Sequence, residues 1–127
     1  MHFLKVHGAG NDFVLLPDLD DAIILDADLV RALCARHLGV GGDGVIRLAP
    51  PRPGVVADVF MDYWNADGSI AEMCGNGVRC VAKYLGDRQH PTADEIRVDT
   101  RGGVKPVTVQ RGADGKVTGA RVDMGAV

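Results

Sequence analysis

Aromatic residues are scarce in this chain of 127 residues: three Phe, two Tyr and one Trp, 5% of the sequence. Fourteen basic residues stand against 17 acidic ones, a net charge of −3. With few stacking platforms and no basic excess, the composition offers no case for a nucleic-acid partner. Long apolar runs are missing too; stretches such as Phe13–Leu16 and Ala22–Leu25 are the longest. They fall far below the roughly 18 residues of a membrane-spanning helix, so no membrane partner is expected. The opening MHFLKVHGAGND turns polar before any apolar core can form, unlike a secretory signal. Cysteine occurs three times, at Cys34, Cys74 and Cys80, with no CxxC pair. An odd, unpaired set argues against a disulfide framework or a zinc site and for the reducing cytoplasm.

Glycine is the residue in excess, at 17, about twice its average usage. Such a chain makes many tight turns and close backbone approaches. The 46% apolar and 24% charged fractions are those of one ordinary globular domain.

Hydrophobic periodicity predicts short strands at 2–6 and 12–17 joined by a turn, Gly8 to Asp12. A helix over 26–38 follows, with Asp26 as N-cap, an apolar stripe of Leu29, Val30, Leu33, Cys34 and His37, and Gly39 as its stop. A strand at 44–49 and the loop Pro50–Gly54 lead to a strand over 55–63. There Val55, Ala57, Val59, Met61 and Tyr63 form one face, and Asp58 and Asp62 lie on a solvated one. A turn at 65–68 and a brief extended segment at 69–73 precede a second helix. It starts just after Cys74, packs through Val78, Val81, Ala82 and Leu85, and is stopped by Gly86. Strands at 95–100, 104–110 and 116–123 complete the chain, with Pro106 pointing to an edge or a bulge in its strand. The class is α+β, richer in strand than in helix.

Several constellations have plain explanations. Gly39–Gly44, GVGGDG, matches GxGxxG, but a helix ends and a strand begins there, the reverse of a dinucleotide fingerprint. It reads as a helix C-cap and turn. Cys34 and His37 have metal half-site spacing, yet both lie on the apolar stripe and no second pair follows. His2, His7 and His90 have no partner at ligand spacing, so no metal is expected. Asn11 and Asn65 sit in turns beside Asp12 and Asp67, where turn chemistry alone accounts for them.

The segment Met73–Cys80, MCGNGVRC, differs. A cysteine at a helix N-terminus faces unpaired N–H groups and the positive dipole end, which lower a thiol pKa from about 8.5 into the range 3.5–7.5. Gly75 and Gly77 clear side chains from the turn, and Asn76 adds an amide with both donor and acceptor groups. The same N–H groups can hold a carboxylate. Two readings of Cys74 stay open on the residues alone: a base beside an anion cradle, or a small side chain filling the helix entry. Cys80 lies about 240° further round the helix and reads as buried.

Gly10-Asn11-Asp12-Phe13, Asn65-Ala66-Asp67-Gly68-Ser69 and Met73-Cys74-Gly75-Asn76-Gly77-Val78-Arg79 resemble, in order and spacing, the N-terminal half of the diaminopimelate epimerases. The resemblance runs to Val122-Asp123-Met124-Gly125 and includes RHLGVGGDG, although some members carry glutamine where Gly44 stands. It implies a strongly curved mixed sheet wrapped around the helix after Cys74, one of two pseudo-equivalent domains. It implies a racemase without cofactor or metal that interconverts LL- and meso-diaminopimelate in lysine and peptidoglycan synthesis. Two cysteines flank the substrate α-carbon, one removing the proton as thiolate and the other returning one as thiol. By position Cys74 resembles a catalytic cysteine, Gly75 and Asn76 the carboxylate-binding turn, and Asn11 and Asn65 the substrate-binding amides. The partners implied are diaminopimelate and a second epimerase domain carrying the other cysteine; a homodimer is compatible with the resemblance. No second cysteine motif of this kind occurs among the 127 residues. The expectation is therefore one domain of a two-domain enzyme, inactive alone and with an exposed sheet edge. The rivals are a related racemase of the same fold, which typically has histidine where Asn76 stands, and a non-enzymatic domain with a reactive thiol.

Overall fold

In a computed structural model, residues 3–8, 11–35, 41–71, 75–88 and 93–123 are described. Among these described residues, seven strands and two helices follow in the order β1 (Leu4–Gly8), β2 (Asn11–Pro17), α1 (Ala27–Cys34), β3 (Gly44–Ala49), β4 (Val59–Asn65), α2 (Gly75–Arg88), β5 (Glu95–Thr100), β6 (Gly103–Arg111) and β7 (Val117–Val122). All strands join one sheet whose spatial order is the chain order. Four neighbouring pairs are antiparallel; β2–β3 and β4–β5 are parallel. Parallel neighbours require a crossover, and each helix supplies one.

Helix α2 packs against both outermost strands, β1 and β7, as well as β5 and β6. A sheet whose two edges touch the same helix must curl around it, and the expected strand-rich α+β sheet wrapped on a central helix is what forms. The inner core joins Phe13 and Leu15 of β2, Ile46 and Leu48 of β3, and Val59 and Met61 of β4 to Val78, Val81 and Leu85 of α2. The alternate residues Val14, Leu16 and Val45 face outward, where Val30 and Cys34 of α1 cover them. Strand β2 is thus buried on both faces, which explains its unbroken apolar run. Edges β1 and β7 carry no further strand among the described residues.

Local expectations hold where they depend on neighbours in sequence. Asp26 caps α1 by accepting from the Leu29 N–H at 2.8 Å. Of the GVGGDG segment, Gly41, at φ 83°, and Gly42 donate to the Leu33 and Cys34 carbonyls of the last turn of α1, although the C-cap residue itself is Ala35. Cys34 and Cys80 are both buried thiols. His37, Gly39, His2 and His90 lie outside the described residues.

Four expectations need correction. Helix α1 ends at Cys34, not at residue 38, because Ala35 is already extended at φ −64°, ψ 121°. Strand β4 begins at Val59 rather than at residue 55, and it is not half-buried. Its supposed solvent face carries Asp62, only 4% exposed. That carboxylate accepts from Arg47 Nε at 3.0 Å and Trp64 Nε1 at 2.9 Å, and pairs with Arg101 Nη2 at 2.8 Å. Gly86 does not stop α2; the helix runs through it to Arg88. A Cβ there would stand 2.7 Å from Val117 Cγ2, so this glycine sets how closely α2 approaches β7. Finally, Pro106 lies in an interior strand, and the register shift falls at Gln110/Arg111 instead. Val109 donates towards β5 while the Pro106 carbonyl accepts from Asp123, so the proline's missing N–H faces the side of β7, just beyond its last residue.

Arg47 also binds Asp18 at 2.9 Å and Asp21 at 2.8 Å, tying the segment before α1 to the sheet. Burial opposes ionisation of Asp18, but N–H groups of Ala22 and Ile23 and the Arg47 guanidinium overcome it and lower its pKa. The fully buried Asp99 is likewise held below the usual carboxylate range, chiefly by its bonds to Arg52.

Candidate functional site

Sheet order and strand direction collect the candidate residues at one end. Asn11 is the first residue of β2, Gly44 the first of β3 and Asn65 the last of β4. With Gly44 paired to Asn65 and Phe13 to Gly44, Asn11 and Asn65 lie two strands apart, about 10 Å across the sheet. Gly75 opens α2. The site arises because α2 enters the concave face at this end.

The decisive contact is between elements 65 residues apart: Asn76 Nδ2 donates to Asn11 Oδ1 at 3.1 Å. On the other side, Arg79 Nη1 donates to Asn76 Oδ1 at 3.3 Å. Two amides are thereby ordered beside the first turn of α2, whose leading N–H groups have no partners within the helix. Gly75 is open on its side-chain side, with nothing among the described residues within 4 Å of a Cβ built there. A ligand can therefore approach the backbone at this turn. Cys74, the residue before it in sequence, lies outside the described residues, as do Gly10 and Met73.

Asn65 is placed near this end but not in the amide pair. Its Nδ2 donates to Ser69 Oγ at 3.1 Å, its N–H donates to the Ser69 carbonyl, and its own carbonyl accepts from Gly68. Asp67 completes the turn by accepting from both Ser69 groups, which holds its carboxylate below the ordinary range. The side chain of Asn65 is thus engaged in its own turn.

The connection between the two loops is Asp43, which the sequence reading passed over as part of a glycine-rich turn. Its Oδ2 accepts from the Asp12 N–H at 2.8 Å, and its own N–H donates to the Asp12 carbonyl at 2.8 Å. Its carbonyl accepts from Ala66 at 3.1 Å. One residue therefore braces the loop of Asn11 against the turn of Asn65. The only local signal was a lone acid among glycines. Gly44 beside it has a structural reason: a Cβ would meet the Trp64 carbonyl at 2.6 Å and the Tyr63 ring at 2.8 Å. Asp12 also contacts His7 Nδ1 at 2.6 Å and Lys5 Nζ at 3.7 Å on β1.

A separate groove of about 330 Å³ runs between β1 and α2, lined by Leu4, Val6, Cys80 and Tyr84 among others. Neither Asn11 nor Asn76 borders it.

Comparison with known proteins gives a consistent answer. The family model described as diaminopimelate epimerase matches residues 3–127. The diaminopimelate epimerase of Rhodococcus opacus (strain B4) is 50% identical over 140 residues, covering 100% of this chain and 48% of that protein. That of Streptomyces coelicolor is 48% identical over 119 residues, covering 88% of this chain and 41% of that protein. The chain spans about half the length of the curated relatives it matches. Among solved structures, a hydroxyproline epimerase from Agrobacterium vitis superposes with a TM-score of 0.73 at 20% identity, over 96% of this chain and 40% of that one. A probable proline racemase from Agrobacterium radiobacter K84 gives 0.72 at 20% identity, over 96% and 41%. At that identity these structures speak for the fold alone. The sequence relatives, by contrast, match most or all of the chain, and the chain belongs to the diaminopimelate epimerase family.

Proposed function

We propose that this chain forms the N-terminal domain of a cofactor-independent diaminopimelate epimerase, with Cys74 as one of its two catalytic cysteines. The observation that carries the reading is the Asn76–Asn11 bond, which sets two amides beside the open first turn of α2, directly after Cys74 in sequence. In the proposed reaction Cys74, as thiolate, takes the proton from the substrate α-carbon. The electron pair left behind is delocalised into the adjacent carboxylate. A thiol from a second domain supplies a proton to the opposite face; nothing is oxidised or reduced, and the same steps run in reverse. The carbanion is unfavourable in water, so rate depends on dipoles already aimed at the carboxylate where charge accumulates. The N–H groups of Gly75 and Asn76 are assigned that task, and Asn11 and Asn65 the recognition of the rest of the substrate. Cys34 and Cys80, both buried in the cores, are not available as the second thiol. The products feed lysine and peptidoglycan synthesis, in a cytoplasm that keeps these thiols reduced.

The test is the alkylation rate of each cysteine against pH, followed by peptide mass spectrometry on the folded chain. Cys74 is expected to react with an apparent pKa well below the roughly 8.5 of a free thiol, while Cys34 and Cys80 stay protected. Diaminopimelate should slow alkylation of Cys74, and proline should not. A Cys74 that titrates like a free thiol and ignores diaminopimelate would overturn the reading.

A further inference from the structure

Arg79 follows Asn76 by three residues on α2, so the two side chains share one helix face. A guanidinium can only donate hydrogen bonds, so the amide atom of Asn76 turned towards it, 3.3 Å away, is the oxygen. Asn76 then offers Nδ2 on its other side, where Asn11 Oδ1 accepts it. That contact in turn leaves Nδ2, a two-hydrogen donor, as the outward end of the Asn11 amide. An amide turned over by half a rotation keeps its shape and exchanges donor for acceptor. If both amides turned over, the contact between them would survive, and Asn11 would present oxygen in place of nitrogen. Shape cannot choose between these states; a cation at one end of the relay can.

We infer that Arg79 is a positioning residue that fixes the amide polarity of the Asn76–Asn11 pair, so that Asn11 presents donors and the site selects an anionic group over an ammonium. The selection rests on the proposal that these asparagines bind substrate; the polarity does not. Arg79 is exposed, so its replacement should leave the fold intact.

The experiment uses the ¹⁵N-labelled chain with Arg79→Met and Arg79→Lys, and reads side-chain amide hydrogen exchange at Asn11 and Asn76 together with Tm. In the parent chain the Asn76 amide should exchange several-fold more slowly than that of Asn11. Arg79→Met should abolish this difference with Tm unchanged, and Arg79→Lys, which keeps a cationic donor, should retain most of it. Persistence of the difference in Arg79→Met overturns the inference. The same samples are titrated with pimelate, which has two carboxylates and no amine, and with cadaverine, which has two amines and no carboxylate. Pimelate alone should shift the Asn11 amide in the parent chain, and several-fold less in Arg79→Met. An equal response in both overturns the selection by Arg79. No response to pimelate in the parent chain, with the exchange difference still dependent on Arg79, overturns the substrate-binding reading and leaves the positioning role standing.

Discussion

Replacing Gly86 by alanine sets two effects of opposite sign against each other. Within a helix, alanine is favoured over glycine by up to about 1 kcal/mol. At this position, however, the added methyl would stand 2.7 Å from Val117 Cγ2. Val117 is buried and stiff at χ1, and β7 cannot easily retreat. Its N–H donates to Asp87 Oδ1 at 2.7 Å, its carbonyl accepts from Lys83 at 2.9 Å, and Arg111 donates to the Gly86 carbonyl at 2.9 Å. Overpacking of this kind costs about 1–3 kcal/mol. The clash should win, with a net loss of about 1 kcal/mol, or roughly 4 °C in Tm for a domain of this size. The assay is urea unfolding followed by circular dichroism, run as a double-mutant cycle with Val117→Ala. Truncating Val117 removes the methyl that the introduced Cβ would strike, so Gly86→Ala should turn stabilising in that background, by up to about 1 kcal/mol. Gly86→Ala that stabilises the chain with Val117 in place would refute the close-approach argument.

Two further outcomes are expected. Asp62→Ala removes the acceptor of Arg47, Trp64 and Arg101, but Arg47 keeps Asp18 and Asp21, so the loss should fall near the lower end of the ~3–5 kcal/mol seen for broken buried pairs; Asp62→Asn should cost less, because an oxygen remains for Trp64. Denaturant titrations of both variants check the order. Acid should weaken the fold through Asp18, Asp87 and Asp99, whose folded pKa values lie below the ordinary 3.8. Groups depressed in the folded state contribute fully above their unfolded pKa and lose that contribution as pH falls through the folded one. Tm should therefore be flat from pH 7 to about 5 and decline below about 4, and a Tm that rises on acidification would contradict these ion pairs.

The elements that sequence reading located were those whose cause is local. Asp26 caps α1 through a donor three residues away, and the apolar positions of α2 recur at helical spacing. The start of α2 just after Cys74 was legible too, so Gly75 and Asn76 open that helix as expected, whereas Asn11, expected in the turn before its strand, is the first residue of β2. What escaped was each feature whose partner is distant in the chain. Asp62 read as a solvated face because its alternation with apolar residues is the same whether water or a guanidinium receives it; its partners Arg47 and Arg101 lie on other elements. Gly86 read as a stop because a glycine near a helix end has the same local signature whether it terminates the helix or admits a neighbouring strand.

The sequence by itself determined most of which segments extend and which coil, and which family the motifs resemble, because propensity, capping and motif spacing act over a few residues. Only the tertiary structure decided that Asn76 meets Asn11 while accepting from Arg79, and that Asp43 braces the two loops. Those contacts join residues separated by up to 65 positions. They exist only once the sheet has curled around α2 and brought three strand ends and one helix terminus to the same place.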